Sequence, residues 1–393
     1  MGTFWIVTFW VAAAGQIYVL AGYSVLLLLA STLVRRKGRG QVQPTVSVVI
    51  PAYNEAKNLR EKLENTLSLD YPAKNLEVLV ASDGSTDSTI EIARAFEQRG
   101  VKVLANPRRR GKTAALNDAV GRASGEILCL CDANVIFEPD ALKMLVAGLA
   151  DPNVGAVTGD VRLASHESNF GHGEDLYYRI ERRLQLAESR VGSLMGVDGG
   201  MYALRKALFR APPPDTILDD FVISMGVMRQ GYRVVYEPGA VAHENGTPSA
   251  RHEWHRRVRV AAGAVQSLKR GNWPSFTRPV ELWQYVSHKG LRWMSPVLLV
   301  LLLAANVALA PVAVFYQVTL AVQLAVYLLA ALGLVSIRFR NTPLGGIPFY
   351  FVMSNVAMAV GLFKGLLDLQ PVTWARAERT RTRRKQQVLP PEQ

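Results

Sequence analysis

Hydrophobic positions along the 393-residue chain fall into two regimes. In the first, apolar runs are too long for a globular interior. No charged residue occurs from Phe4 to Val34, nor from Ser295 to Ile337. About 20 apolar residues cross the hydrocarbon core of a bilayer. The first run therefore predicts one membrane helix. The second, at about 1.5 Å per residue, spans roughly twice that core and predicts a helical hairpin turning near Ala310 and Pro311. A third stretch, Ile347 to Phe363, is shorter and accompanied by Gly345, Gly346 and Gly361. It predicts a membrane element that need not cross fully.

The second regime, from Pro44 to Arg292, alternates short β-branched runs with segments of helical period. Strands are predicted at Val46–Ile50, Leu76–Ala81, Val101–Ala105 and Ile127–Cys131, with helices at Ala56–Leu69, Ser88–Arg99 and Thr113–Arg122. This βαβ alternation predicts an α/β domain with a mostly parallel sheet covered by helices. Ligands of such sheets sit at the carboxyl ends of strands. The domain plan is an N-terminal anchor and basic flank at 1–43, a catalytic-type domain at 44–292, a C-terminal membrane region at 293–370 and a basic tail at 371–393.

The formal charge of +13 sharpens the membrane reading. Arg35, Arg36, Lys37 and Arg39 follow the first apolar run, and Arg376 to Lys385 follow the last. Basic clusters flanking apolar segments mark cytoplasmic ends of membrane helices or contacts to anionic lipids. The predicted topology puts the N-terminus outside and the soluble domain in the cytoplasm, at a bacterial or archaeal inner membrane. Trp283, Lys289, Arg292 and Trp293 are placed to anchor the interface, as are Trp254 and Trp374. Cys129 and Cys131, the two cysteines, face one side of a strand and suit neither a disulfide nor a zinc ribbon. They read as small buried core residues in a reducing compartment.

Polar residues follow the predicted strand ends in order. Pro51-Ala52-Tyr53-Asn54-Glu55 follows the first, and Asp83-Gly84-Ser85-Thr86-Asp87 the second. Asp83 suits a ribose or base contact as well as turn formation, while Asp87 suits a helix cap. Asn106 to Thr113 fails as a phosphate-binding P-loop because Asn106 stands where its first glycine belongs. Lys112 opens a helix whose N-terminus favours anions, and spacing alone suits a diphosphate contact and a solvated loop lysine equally. Asp132-Ala133-Asn134 offers two oxygen ligands that can hold a divalent cation against phosphates. Asp219 and Asp220 read either as a functional carboxylate pair or as a cap before a helix from Phe221 to Arg229. His243, His252 and His255 offer a candidate further metal ligand, although the His252 to His255 spacing suits an exposed interfacial helix equally well.

With Arg110-Gly111-Lys112-Thr113-Ala114-Ala115-Leu116-Asn117, Asp198-Gly199-Gly200-Met201-Tyr202-Ala203-Leu204-Arg205, Leu218-Asp219-Asp220 and Arg256-Arg257-Val258-Arg259-Val260, the series from about Thr45 to Gly263 resembles the inverting family 2 glycosyltransferases. It resembles especially their membrane-embedded branch of cellulose, hyaluronan and chitin-oligosaccharide synthases. The resemblance implies a GT-A fold, a Rossmann-like mixed sheet, flanked by transmembrane helices. It implies that Tyr53, Glu55 and Asp83 hold the nucleoside, with Pro51 in the same nucleotide-sugar set, and that Lys112 holds the phosphates. Asp132 would bind diphosphate and, with Asn134, a divalent cation, Mg²⁺ or Mn²⁺. Asp220 inherits the general-base position, beside Asp219. Arg256, Arg257 and Arg259 join the donor site, the last two on the diphosphate.

The chemistry asks for the same groups. Inversion needs a carboxylate to take the acceptor hydroxyl proton, and cations on the departing diphosphate. The sequence departs from the family at Asn134, where a second metal aspartate is usual. It departs again at Arg256 and Val260, where processive members carry Gln and Trp. Val260 offers no aromatic face to a sliding sugar, which argues against a long-chain synthase. The expected partners are a nucleotide sugar, with UDP the expected carrier, a lipid-linked or saccharide acceptor and membrane lipids, without nucleic acid. A processive polysaccharide synthase is the alternative, and a non-catalytic basic membrane protein binding polyanions stands behind both.

Overall fold

The computed structural model describes residues 2–34, 40, 42–163, 172–244 and 250–373. The basic clusters at 35–39 and 376–385, and Trp374, lie outside the described residues. In chain order the elements are α1 (Gly2–Ile17), α2 (Tyr23–Thr32), β1 (Val46–Ala52), α3 (Leu59–Leu67), β2 (Leu76–Asp83), α4 (Thr89–Arg94), β3 (Val101–Asn106) and α5 (Lys112–Arg122). There follow β4 (Ile127–Cys131), β5 (Val135–Phe137), α6 (Ala141–Gly148), β6 (Val154–Leu163), α7 (His172–Val191), β7 (Met201–Arg205), α8 (Asp219–Arg229) and β8 (Arg233–Glu244). The chain closes with α9 (Ala250–Lys269), α10 (Pro279–Tyr285), α11 (Leu291–Leu309), α12 (Val314–Val335), α13 (Ile337–Arg340) and α14 (Pro343–Leu366).

The eight strands form one sheet in the order β3-β2-β1-β4-β7-β6-β8-β5. The half from β3 to β4 is parallel, as the alternation predicts. The other half is mixed, because β7 runs antiparallel to both β4 and β6, and β5 antiparallel to β8. Pleating sends Val46, Val48, Ile50, Cys129 and Cys131 into one core and Val49, Leu79, Leu128 and Leu130 into the other. Both faces of these strands are covered, which explains their unbroken apolar runs. The two cysteines are free and buried, and burial raises both thiols above their usual range.

Register fixes the chemistry. Val49 pairs with Leu79 on one side and Leu130 on the other, and Asp83 pairs with Asn106. The polar segments that follow β1 to β4 therefore emerge at one edge. Antiparallel β7 brings its preceding turn back to the same edge, with Asp132 N 3.4 Å from Gly200 O.

Four helical segments are long and apolar enough to cross a membrane: Gly2–Thr32, Pro279–Leu309, Val314–Val335 and Pro343–Leu366. The α11–α12 connection falls at residues 310–313, where the sequence places it. The last apolar stretch, read from the sequence as short, is extended at both ends. Pro343 opens the helix under a Thr342 side-chain cap, and its 24 residues reach about 36 Å, more than the hydrocarbon core.

Two of the expected interfacial anchors also make contacts inside the protein. Trp293 is buried between Phe221 and Tyr285, and Trp283 Nε1 donates to Tyr18 Oη at 3.0 Å. Helix α14 lies against α9 through glycines. A Cβ on Gly361 would stand 2.4 Å from Val258 O, and one on Gly365 2.8 Å from Ala262 O. Gly361→Leu is therefore expected to force the helices apart at about 1–3 kcal/mol, read as a lower unfolding temperature in detergent.

Candidate active site

The loops at the strand ends are tied to one another before any ligand arrives. Asn54, at φ +54°, receives Thr86 N on its Oδ1 at 2.8 Å and donates its own N–H to Ser85 Oγ at 3.1 Å. Glu55 N donates to Thr89 Oγ1 at 2.8 Å, and Asp87 accepts from Thr89 N and Ala56 N. Asp83 is buried at the tip of β2 and accepts from Arg110 N at 2.7 Å and Gly111 N at 2.8 Å. Its carboxylate clamps the arginine-rich loop against the sheet. Gly84 lies under that loop at φ +67°, where a Cβ would come 2.5 Å from Arg109 N. The Arg109 guanidinium in turn sits 3.9 Å above the Tyr53 ring.

These loops enclose a cleft of about 370 Å³. Pro51, Tyr53, Glu55, Asp83, Lys112, Asp132, Asn134 and Arg259 all line it. Lys112 opens α5 after Gly111, whose φ of +103° suits glycine. Its Nζ lies 2.8 Å from Asp132 Oδ1 and 3.8 Å from Asp219 Oδ2. Burial alone would lower the Lys112 ammonium, but Asp132, Asp219 and Asp220 outweigh it and hold the amine above its usual range. A phosphate entering here meets a fixed cation already poised between carboxylates.

Asp219 and Asp220 form the first turn of α8, with Leu218 in the cap position, so neither is a helix cap. Asp220 Oδ1 accepts from Phe221 N at 2.7 Å. Burial and then the Asp219 charge push the Asp220 carboxyl up to about 7, against the opposing pull of Lys112. Such a carboxyl takes and returns protons near neutral pH, as a general base must. The space beneath it exists because residue 199 is glycine: a Cβ there would approach Asp220 Oδ2 to 2.8 Å.

The basic stretch on α9 divides. Arg259 reaches the cleft, donating to Ile217 O at 2.9 Å and Val372 O at 2.7 Å. Arg256 and Arg257 do not line it. Both are held by buried Glu253, and Arg257 also donates to Tyr350 Oη. Along a helix, residues two apart face different ways, so the run cannot present every arginine to one ligand.

Among the residues near the site that have no role in the sequence reading, Val372, Thr373, Asp198 and Glu244 stand out. Val372 and Thr373, just past α14, line the cleft. Asp198 lies beside Asp132 and Glu244; burial, and then Glu244 and Asp132, raise its carboxyl to about 6 although Gly200 N donates to it. Its signal in the sequence is an acidic residue directly before the Gly199-Gly200 pair. Glu244 accepts from Asn134 Nδ2 at 3.1 Å.

That hydrogen bond bears on a cation. With Nδ2 donated to Glu244, the Asn134 amide is oriented and its Oδ1 keeps its acceptor capacity. Asp132 supplies a carboxylate whose Oδ1 faces Lys112. Among the described residues no three His, Cys, Asp or Glu side chains form a metal cage. One carboxylate and one amide oxygen fit an ion of the magnesium type, which completes its shell with substrate phosphates and water. Two of the three candidate histidines are engaged elsewhere: His243 Nε2 pairs with Glu138 at 2.8 Å and His255 Nδ1 with Arg251 O at 2.6 Å.

Residues 47–211 match the family described as Glycosyl transferase family 2. The chain is similar to the poly-beta-1,6-N-acetyl-D-glucosamine synthase of Staphylococcus epidermidis, 28% identical over 254 residues, or 63% of this chain and 61% of that protein. The synthase of Staphylococcus aureus strain COL is 27% identical over 231 residues, 57% of this chain and 56% of that one. The chain thus spans about three-fifths of the length of the curated relatives it matches. Among solved structures it is similar to a mannosyltransferase from Pyrobaculum calidifontis in complex with GDP-Man and Mn²⁺, with TM-score 0.72 and 26% identity, covering 92% of this chain and 100% of that one.

Proposed function

We propose, from the premise that this chain carries a glycosyl transferase family 2 domain over residues 47–211, that it moves a hexosyl or N-acetylhexosaminyl group from a nucleotide sugar to an acceptor at the membrane surface, with inversion. The observation that carries this reading is the meeting of Lys112, Asp132 and Asp219 beside Asp220, at the carboxyl ends of the parallel strands. Asp220 takes the acceptor hydroxyl proton as that oxygen attacks the anomeric carbon. The bond to the diphosphate breaks, and the nucleoside diphosphate leaves with added negative charge. Lys112 and Arg259 face that charge. A divalent cation held by Asp132 and Asn134 would supply further electrostatic stabilisation of the leaving group. Tyr53, Glu55, Asp83 and Pro51 form the nucleoside end of the cleft.

The four apolar helical segments make this a membrane protein. We assign the catalytic domain to the cytoplasmic face of a bacterial or archaeal inner membrane, where nucleotide sugars are made. The test is a screen of UDP- and GDP-sugars, with Mn²⁺ or Mg²⁺, for donor hydrolysis and thermal stabilisation of the full chain. A donor at about 100 times its Kd should add about 2.7 kcal/mol of stability. Both nucleosides belong in the screen because the solved relative holds GDP-Man. If no sugar nucleotide stabilises the protein or is hydrolysed, the reading fails. A second reading, a polymer synthase, is favoured by the names of the staphylococcal relatives and opposed by Val260. Product length on purified protein separates the two.

A further inference from the structure

Arg257 and Arg292 meet away from the donor cleft. They line a second cavity of about 230 Å³, enclosed by the α1–α2 turn, α7, α9, α11 and α14. Their guanidinium carbons lie 5.2 Å and 4.9 Å from the centre of one ring, Tyr177. Arg257 uses Nε on Glu253 at 2.8 Å and Nη2 on Tyr350, while Arg292 Nη1 reaches Glu181 at 3.1 Å. Glu253 is shared by Arg256 and Arg257, so that group keeps one net positive charge. On the same wall Glu181 and His288 are bonded at 3.3 Å, His288 also meets Arg292 Nη1, and buried Glu188 at 2.7 Å, and Tyr23, Tyr177 and Tyr350 complete the titratable groups.

Two further wall residues make this a built site. Ser354 and Asn355 on α14 are 8% and 9% exposed, and their Oγ and Oδ1 atoms have no partner among the described residues. A buried orphan polar atom costs about 1–3 kcal/mol, more so at membrane depth, unless something satisfies it. Apart from Tyr23, Ser24, Ser287 and Ser295, the rest of the wall is mainly apolar. Leu20, Leu176, Ile180 and Ile347 line it and are themselves exposed on the outer surface. An occupant must therefore present an anionic, hydrogen-bonding head to the arginines and a hydrocarbon tail to the apolar rim. The volume exceeds by several-fold the roughly 30 Å³ that one water occupies.

We propose that this cavity binds the phosphate head of a lipid, seated on Arg257 and Arg292 and on the polar groups of Ser354 and Asn355, with its tail between α7 and α14. Guanidinium groups recognise phosphate by charge-assisted hydrogen bonds, and the Tyr177 ring lies within cation–π range of both.

The test uses the full chain in nanodiscs of neutral lipid, with farnesyl phosphate, farnesol, inorganic phosphate and phosphatidylglycerol as probes. Farnesyl phosphate is expected to bind about tenfold or more tighter than farnesol, and inorganic phosphate alone weakly. Arg292→Lys and Asn355→Leu should each weaken farnesyl phosphate about fivefold or more, while farnesol binding stays unchanged. Asn355→Leu removes only a helix-internal bond to Phe351 O, so it carries the test if Arg292→Lys fails to fold. Equal binding of farnesol and farnesyl phosphate, or wild-type affinity in Asn355→Leu, would overturn the proposal. Displacement of farnesyl phosphate by phosphatidylglycerol assigns the head to bulk lipid. Resistance to it, with sugar transferred to the farnesyl phosphate, assigns it to an acceptor. The transfer arm alone rests on the proposed function, so lipid binding without transfer removes the acceptor role and leaves the site.

Discussion

Asp220→Asn is expected to lower the rate of sugar transfer by about 10²–10⁴-fold, the range for removal of a general base, while nucleotide-sugar binding persists. The change is nearly isosteric, and the amide oxygen can still accept from Phe221 N, as Asp220 Oδ1 does at 2.7 Å. What it removes is the charge that receives the proton. Because the wild-type carboxyl is pushed up to about 7, kcat/KM should rise with pH through an acid limb near that value. The same shift has a consequence for stability. An unfolded aspartate titrates near about 3.9, so between there and about 7 the folded protein binds the extra proton. The contribution of Asp220 to folding is fully present at low pH and is lost as pH rises through that window. The asparagine variant should lack this slope in thermal unfolding. A folded variant that binds donor and transfers sugar at the wild-type rate would sink the assignment.

Asp220 stands out in the sequence through its place in an ordered motif series; the burial and neighbouring charge that raise its carboxyl are not legible there. The parallel half of the sheet was legible from apolar runs alternating with helical segments, since β1, β2 and β3 are each followed by a crossover helix. The antiparallel half was not. β7 and β6 pair through register set by residues far apart in sequence, and nothing in Met201–Arg205 itself says that it will run beside β4. That missing pairing is what brings Asp198 to Asp132, so Asp198 went unassigned. The arginine run shows the opposite limit. Spacing alone grouped Arg257 with Arg259, whereas the turn of α9 sends one to the membrane-side cavity and the other to the cleft. Likewise Val372 and Thr373 reach the cleft only because α14 returns the chain to α9, a contact written in Gly361 and Gly365 rather than in the residues that arrive.

Lys112→Met is expected to weaken donor binding and to cut transfer by about 10²–10³-fold, comparable to losing one preorganised group that faces charge developing in a transition state. Methionine keeps the length and apolar stem of lysine, so the loop held by Asp83 through Arg110 N and Gly111 N should persist. The loss is electrostatic and reaches beyond the phosphates. Nζ stands 2.8 Å from Asp132 and 3.8 Å from Asp219, and its charge is among the influences that lower the Asp220 carboxyl. Without it, three carboxylates face one another with less cation between them. The anionic form of Asp220 becomes harder to reach, so the acid limb of kcat/KM should move to higher pH, and the deficit should be larger on its acid side. Asp219→Asn removes a like charge and should move the same limb the other way. If Lys112→Met raises the donor Kd but leaves the limb where it is, Lys112 is a phosphate contact alone. If the limb moves with donor binding intact, its main work is on Asp220.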